Sequence, residues 1–383
     1  MTVKVLVNAG PWLPVPPPGY GGIENVIATL VPELRRRGIR VVLATVGDSR
    51  LRAEERISVF DHGQFGHLLD PYNRVSGLAH AHLQRVITEL RRRDDLDLVH
   101  DHVEVVGPSS LSAMGSGAPP VLHTLHWDLT KHREFYSTFD GGGRVWVNGV
   151  SAAQLASAPP ALRAHSVGHV HLATPLARNA DRHALPHKAD HLVVLGRITP
   201  AKGQHVAARL ADKLGAPLVL AGPVGPHHDR ASLDAALAAD PLTALNPDVR
   251  YWLDEVAPYV DGERVRWTGT LRGPARDRVL GTARAALFPV LWEEPGGTAA
   301  VEALALGTAV IGFRRGCLPE LVDHGRTGFL AAPDDEDELA AHLAAAGEID
   351  PAECTAEAAR RFTPSAMADR YVELYREVLR RSP

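Results

Sequence analysis

The chain has 383 residues, 45% hydrophobic and 22% charged, with a formal net charge of -4. That length exceeds one ordinary core and suits two domains. The part up to about residue 172 is close to neutral and the rest mildly acidic, so neither shows the basic excess of a nucleic-acid binder. No apolar run is long enough to span a bilayer. No leader-like segment precedes the apolar run Val3–Val7, so the expected location is the cytoplasm. Cys317 and Cys354 lack metal-ligand spacing and read as reduced, structural thiols.

Short Val- and Leu-rich runs alternate with longer amphipathic stretches, the pattern of parallel sheets covered by helices on both faces. In the first half, strands are expected at 3–7, 40–45, 57–60, 96–100, 120–124, 145–149 and 168–172, and helices at 23–37, 73–93, 109–115 and 152–163. Ser151 stands at an N-cap position. The arginine triplets Arg35–Arg37 and Arg91–Arg93 close two helices, where they complement the helix dipole. The polar stretch 176–190 reads as a linker between a first domain, 1–175, and a second, 191–363. In the second domain, strands are expected at 191–196, 217–221, 264–268, 285–289 and 308–312. Helices are expected there at 202–214, 274–282, 297–306, 335–345 and 352–361. A last helix within 364–383 is expected to pack back toward the first domain. The fold class is therefore α/β, with two Rossmann-like, doubly wound domains facing across a cleft and function in the loops after strands.

The segment Phe288 to Ala305 places two glycines, Gly296 and Gly297, and the carboxylates Glu293 and Glu294 between a strand and a helix that starts near Thr298. Glycine lets a backbone approach a ligand closely, and the first amides of a helix favour an anion. Complementing the helix dipole accounts for Glu293 and Glu294, but not for Glu302 on an otherwise apolar helix face. A second strand-turn-helix segment, Val193 to Gly203, carries Gly196 and two cations, Arg197 and Lys202. Alone, these cations read as surface charge. Together with the glutamate loop they make a site for a sugar attached to a diphosphate, with charge pairs worth on the order of 4 kcal/mol at intermediate dielectric.

Gly196-Arg197-x4-Lys202-Gly203, the glutamates 294 and 302, Gly307-Thr308-Ala-Val-Ile and Gly325-Arg-Thr-Gly328-Phe-Leu together resemble retaining glycosyltransferases of family 4 with the GT-B fold. The resemblance runs from about residue 3 to about 378 and is densest between 191 and 330. It implies a donor site in which Arg197 and Lys202 hold the pyrophosphate, Glu294 contacts sugar hydroxyls and Glu302 the ribose. Backbone amides near Gly297 and Thr298 would complete it, with Gly196 and Gly296 in the same loops. Where the family usually has an aromatic residue, this chain has Gly296. The resemblance also implies that Gly21 and Gly22 face the diphosphate and that His126 lies close to the transferred sugar. His126, Glu294, Arg197 and Lys202 are thus the catalytic candidates, and retention of anomeric configuration is expected.

His123 and His126 fall on opposite faces if the strand continues, which leaves His123 structural. Tyr20, His102, Trp127 and Asp128 are acceptor-side candidates. Trp127, Phe135 and Tyr136 read equally as pocket lining or core, and Asp101, Glu104 and Asp128 are candidate general bases. His100-Asp101-His102, Asp95-Leu-Asp97 and Asp335-Glu-Asp337 mimic metal motifs without a partner cluster, so no metal is expected.

The expected activity is metal-independent transfer of a hexosyl-type sugar from a nucleoside-diphosphate sugar to an acceptor hydroxyl, possible settings being bacterial natural-product or glycoconjugate biosynthesis. The donor is expected to be UDP-linked ahead of GDP-, ADP- or dTDP-linked, with no other cofactor. The partners are the donor and a small-molecule or glycan acceptor, and the protein is expected to be a monomer or homodimer. Two other readings compete. An NAD-dependent oxidoreductase would use Gly19 to Gly22 for the dinucleotide, against a long preceding loop and no acidic residue at the tip of the second strand. A non-catalytic nucleotide-sugar-binding module would bind donor without turnover.

Overall fold

The computed structural model describes residues 3–19, 21–68, 70–185 and 187–382. The chain divides into two compact units, Met1–Ala173 with Pro364–Pro383, and Thr174–Thr363. The stretch 176–190 groups with the second unit. Part of it, Pro175–His183, forms tight turns whose Ala177 and Ala180 are buried.

The first unit holds a seven-stranded, all-parallel sheet: β1 (Lys4–Asn8), β2 (Arg40–Ala44), β3 (Glu55–Ile57), β4 (Leu98–Asp101), β5 (Val121–Thr124), β6 (Val145–Gly149) and β7 (Ser166–His169). Their spatial order is 3-2-1-4-5-6-7. Every residue of β1, β4 and β5 is buried, as expected where helices cover both faces. One face packs against the helices Gly22–Arg36 and Pro364–Arg381 through Ile27, Leu30, Leu34, Met367, Tyr371 and Tyr375. The other packs against Tyr72–Arg92 and neighbouring turns through Leu83, Val86, Leu90 and Tyr136.

The second unit holds a six-stranded parallel sheet: β8 (Leu192–Leu195), β9 (Leu218–Ala221), β10 (Val265–Trp267), β11 (Ala285–Phe288), β12 (Ala309–Phe313) and β13 (Gly328–Ala331), in the order 10-9-8-11-12-13. In each sheet the order reverses beside the first strand, between β1 and β4 and between β8 and β11. At such a switch point the loops leaving the two strands diverge and open a crevice for a ligand.

The expected helix 152–163 is two helices, Ala152–Ala156 and Pro160–Ala164. Pro159 is extended at ψ 150 and breaks it. Ser151 caps the first of these, accepting from the Gln154 amide at 3.1 Å. The helix expected at 109–115 begins earlier and spans Val106–Ser112. Strand β13 and the helices Arg230–Ala239 and Pro247–Tyr251 were not anticipated from the sequence. The Asp-x-Asp look-alikes have structural roles. Asp95 pairs with buried Lys4 at 2.5 Å, and Asp335 caps the helix Glu336–Ala345. The arginine clusters also form ion pairs: Arg37 reaches Asp369 at 2.7 Å, and Arg93 reaches Glu55 at 2.9 Å. No helix among the described residues is long and apolar enough to cross a membrane.

Candidate active site

In the second unit the two loops singled out from sequence leave the strands that flank the switch point, β8 and β11. They are tied together by backbone. The Leu291 amide donates to the Ala201 carbonyl at 2.9 Å. Gly203, at φ 67, sits so close that a Cβ there would lie 1.9 Å from the Pro289 carbonyl oxygen.

This contact brings Lys202 to Glu294. Lys202 Nζ donates to Glu294 Oε2, which also accepts from Trp292 Nε1 at 3.0 Å. The ammonium lies 5.2 Å from the centre of the Trp292 ring, within cation–π range. Glu294 is 9% exposed, so the charge pair works in a setting where water screens it weakly. Arg197, in contrast, is about half exposed, with Nη1 4.0 Å from Asp248 Oδ2. Glu293 turns away from this pair and accepts from the Gly316 amide at 2.6 Å.

The helix Thr298–Ala305 starts from Gly297, a left-handed residue at φ 56. A Cβ at Gly297 would come within 2.6 Å of Leu321 Cδ1 and 2.8 Å of Cys317 Sγ. Close packing thus imposes glycine at 297, and the helix begins directly after it, the kind of terminus whose first amides favour an anion. Gly196 leaves β8 at φ 150 and is partly exposed. Glu302 projects from this helix between buried Val301 and Ala303 and accepts from Arg276 Nη1 at 3.0 Å. Burial pushes its pKa up, and Arg276 opposes the shift. Arg276 and Trp292 were missed in the sequence: an aromatic beside the glutamates was a faint signal for Trp292, whereas Arg276 reaches Glu302 only through tertiary packing.

In the first unit a buried polar network lies at the ends of β1, β4, β5 and β6. Asp101 and His123 are both fully buried and joined through His123 Nδ1 at 2.6 Å. Asn8 Nδ2 donates to the other Asp101 oxygen at 2.6 Å. Gly107 leaves space for this carboxylate, since a Cβ there would lie 2.1 Å from Asp101 Oδ2. Burial alone would lower the His123 pKa, but the Asp101 hydrogen bond and the charges of Asp101 and Glu104 raise it overall. Glu104 accepts from Tyr136 OH, and burial pushes its pKa up to about 7. His126 is partly exposed, with Nε2 2.9 Å from His102 Nδ1. Burial and the nearby His123 hold His126 neutral, with a pKa of about 3.

The three residues of His100-Asp101-His102 go separate ways: His100 meets Tyr375 OH at 2.7 Å and Thr124 Oγ1 at 2.8 Å, Asp101 meets His123, and His102 meets His126. Among the described residues, His102 Nε2, His123 Nε2 and Glu104 Oε2 are buried with no hydrogen-bond partner.

Tyr136 is 1% exposed and belongs to the core, which removes it as a pocket-lining residue. Asp128 caps a turn by accepting from the Thr130 amide at 2.9 Å. Trp127 is 38% exposed, with Lys131 Nζ 3.5 Å from its ring centre. Gly22 opens the first helix with no atom of the described residues within 4 Å of its Cβ position, whereas Gly21 abuts Pro17. Buried Glu24, in the same first turn, was also missed; burial pushes its pKa up to about 7. Tyr20 lies outside the described residues.

The two halves match two family models. Residues 20–194 match Glycosyltransferase Family 4, and residues 177–363 match Glycosyl transferases group 1. A D-inositol 3-phosphate glycosyltransferase of Pseudarthrobacter chlorophenolicus is 26% identical over 366 residues, covering 83% of this chain and 80% of the relative. AviGT4, a glycosyltransferase involved in avilamycin A biosynthesis, aligns with a TM-score of 0.65 and 27% identity over 99% of this chain and 98% of its own. Anabaena HepE in complex with UDP-glucose aligns with a TM-score of 0.62 and 15% identity, covering 98% of this chain and 99% of that one, a likeness of fold. The oxidoreductase alternative has no counterpart in these matches. With two doubly wound sheets and both halves accounted for, the chain belongs to the family 4, group 1 glycosyltransferases and is an enzyme of the GT-B fold.

Proposed function

We propose that the enzyme moves a hexosyl-type sugar from a nucleoside-diphosphate donor to an acceptor hydroxyl, with retention and without a divalent metal. The observation that carries this reading is the joining of the Lys202 and Glu294 loops at the switch point of the second sheet, beside the helix bearing Glu302. Breaking the bond from anomeric carbon to diphosphate leaves negative charge on the departing oxygen. Lys202, Arg197 and the amides at Thr298 supply positive charge there, the part a metal plays elsewhere. In this reading Glu294 receives sugar hydroxyls and Glu302 those of the ribose, as the resemblance to the family implies. The pairing of Lys202 with Glu294 is then partly exchanged for contacts with the donor.

UDP is the favoured nucleotide, supported by the UDP-glucose held by the HepE fold relative. GDP, ADP and dTDP are the competitors. The likeness to AviGT4 favours an acceptor from bacterial natural-product assembly, and the inositol phosphate relative offers a phosphorylated polyol as the other acceptor class. The acceptor side is assigned to Tyr20, His102, Trp127 and Asp128, while Gly21 and Gly22 are assigned to the donor and His126 to the transferred sugar, as the resemblance to the family implies. Neutral His126 serves as a hydrogen-bonding group rather than a cation. Retention rests on the resemblance to the family.

Thermal shift with UDP, GDP, ADP, dTDP and NAD, on wild type and Glu302→Ala, tests the reading. Stabilisation by one nucleoside diphosphate, absent with NAD and lost in the variant, is expected, because a ligand of the folded state raises apparent stability. Stabilisation by NAD alone, unchanged in the variant, would overturn it.

A further inference from the structure

Glu302 is 15% exposed, on a helix whose neighbouring Val301, Ala303, Leu304 and Ala305 are buried. A carboxylate in such a place must be paired or it takes up a proton. Among the described residues its hydrogen-bond partner is Arg276, whose Nη1 reaches Oε1 at 3.0 Å. The guanidinium is fixed from its other side, with Nε and Nη2 on Asp277 Oδ1 at 2.9 and 2.8 Å. Arg276 comes from the helix Gly273–Thr282, which precedes β11, while Glu302 is on the helix that follows it.

We propose that Arg276 is a positioning residue for the donor nucleotide, keeping the Glu302 carboxylate ionised and oriented to accept both hydroxyls of a ribonucleoside diphosphate. An ionised carboxylate accepts from a vicinal diol through two oxygens, whereas a protonated one must give up an acceptor position to its own proton. Arg276 takes one acceptor position of Oε1 and leaves the other, with both of Oε2, for the two hydroxyls. Its planar fork is already braced by Asp277, so little ordering remains when nucleotide arrives. Among the described residues, the charged groups acting on Glu302 are Arg276 and Asp277. Asp277 acts in the same direction as burial, toward protonation, and Arg276 is what opposes them. Without the guanidinium, donor affinity becomes dependent on pH and weakens as pH falls. The site thereby selects ribonucleotides over 2′-deoxyribonucleotides, which disfavours a dTDP donor. This inference rests on the assignment of the second unit as the donor site.

Calorimetric titration of UDP, GDP, ADP and 2′-deoxy-UDP at about pH 6 and about pH 8.5 tests it, on wild type, Arg276→Gln, Arg276→Lys and Glu302→Gln, each checked for a native melting transition. Wild type is expected to bind one ribonucleoside diphosphate with similar affinity at both pH values, and deoxy-UDP about tenfold or more weakly than UDP if UDP is that ligand. Arg276→Gln should lose about tenfold at low pH and regain part of it at high pH, while Arg276→Lys stays within about threefold of wild type. Glu302→Gln should be weak at both pH values. An Arg276→Gln protein with wild-type affinity, or with a loss independent of pH, overturns the role of Arg276 while leaving the donor site intact. Wild type that binds none of the ribonucleoside diphosphates, or Glu302→Gln that binds like wild type, overturns the donor-site assignment itself.

Discussion

Lys202 matters through where its charge sits once the diphosphate departs. Its Nζ already rests on a carboxylate buried to 9% exposure, so replacing it takes the cation from Glu294 and leaves the leaving group with Arg197 and the helix amides alone. Lys202→Met is expected to lower kcat by about 10²–10³-fold, the range for removing one group that stabilises developing charge. Steady-state rates at saturating donor check this. In the first unit, His126 stays neutral down to about pH 3 while Glu104 is raised to about 7. An inflection near pH 7 in kcat/KM should therefore vanish in Glu104→Gln. His126→Asn should reduce the rate at every pH without moving the inflection. A pH profile whose midpoint follows His126 instead would contradict these protonation states.

At the scale of elements, the turn at Gly297 is the most constrained piece of the donor loop. Gly297→Ala combines a left-handed backbone with contacts to Leu321 and Cys317 below 3 Å. It should cost about 1–3 kcal/mol of stability and weaken diphosphate binding; Cys317→Gly in the same chain should recover part of the loss by removing one clash. Denaturant midpoints with and without nucleotide separate the two effects. The helix Pro351–Arg361 carries a different liability. Glu357, 3% exposed, is met by Arg326, Arg360 and Arg361, and these bonds outweigh burial to hold its pKa at about 2. A carboxylate depressed from 4.5 contributes stability that is full above about pH 4.5 and is lost as pH falls through about 2. Glu357→Gln should lower stability at neutral pH by roughly 2–3 kcal/mol and flatten the acid limb of the melting profile.

The strands flanking each switch point and the two charged loops could be read from the sequence because their signals are local: Val/Leu runs, a glycine at each turn, and cations or carboxylates at fixed offsets. Strand β13 escaped because it is four residues long and begins on Gly328, whose missing Cβ lets β12 approach; a Cβ there would lie 1.9 Å from the Val310 carbonyl oxygen. Pairings such as Arg276 with Glu302 or Asp101 with His123 join residues 26 and 22 positions apart. They depend on which strands become neighbours, and no spacing rule encodes them.

At the scale of the whole molecule, the last helix is the most telling element. Pro364–Arg381 lies at the end of the chain yet belongs to the first unit. It supplies Met367, Tyr371 and Tyr375 to that core, and Tyr375 also meets His100. Removing residues 364–383 should lower the melting of the first unit by exposing buried aromatic surface. The second unit should keep a transition that nucleoside diphosphate still raises. Calorimetry in the presence and absence of ligand distinguishes the two. The most direct test of the central claim is release of nucleoside diphosphate from UDP-glucose, GDP-mannose, ADP-glucose and dTDP-glucose, followed by a coupled assay in wild type and Lys202→Met. The account predicts slow release from one of the ribonucleotide sugars without acceptor, accelerated by an acceptor and reduced at least about 10²-fold in the variant. Release that is equal in wild type and variant would contradict it.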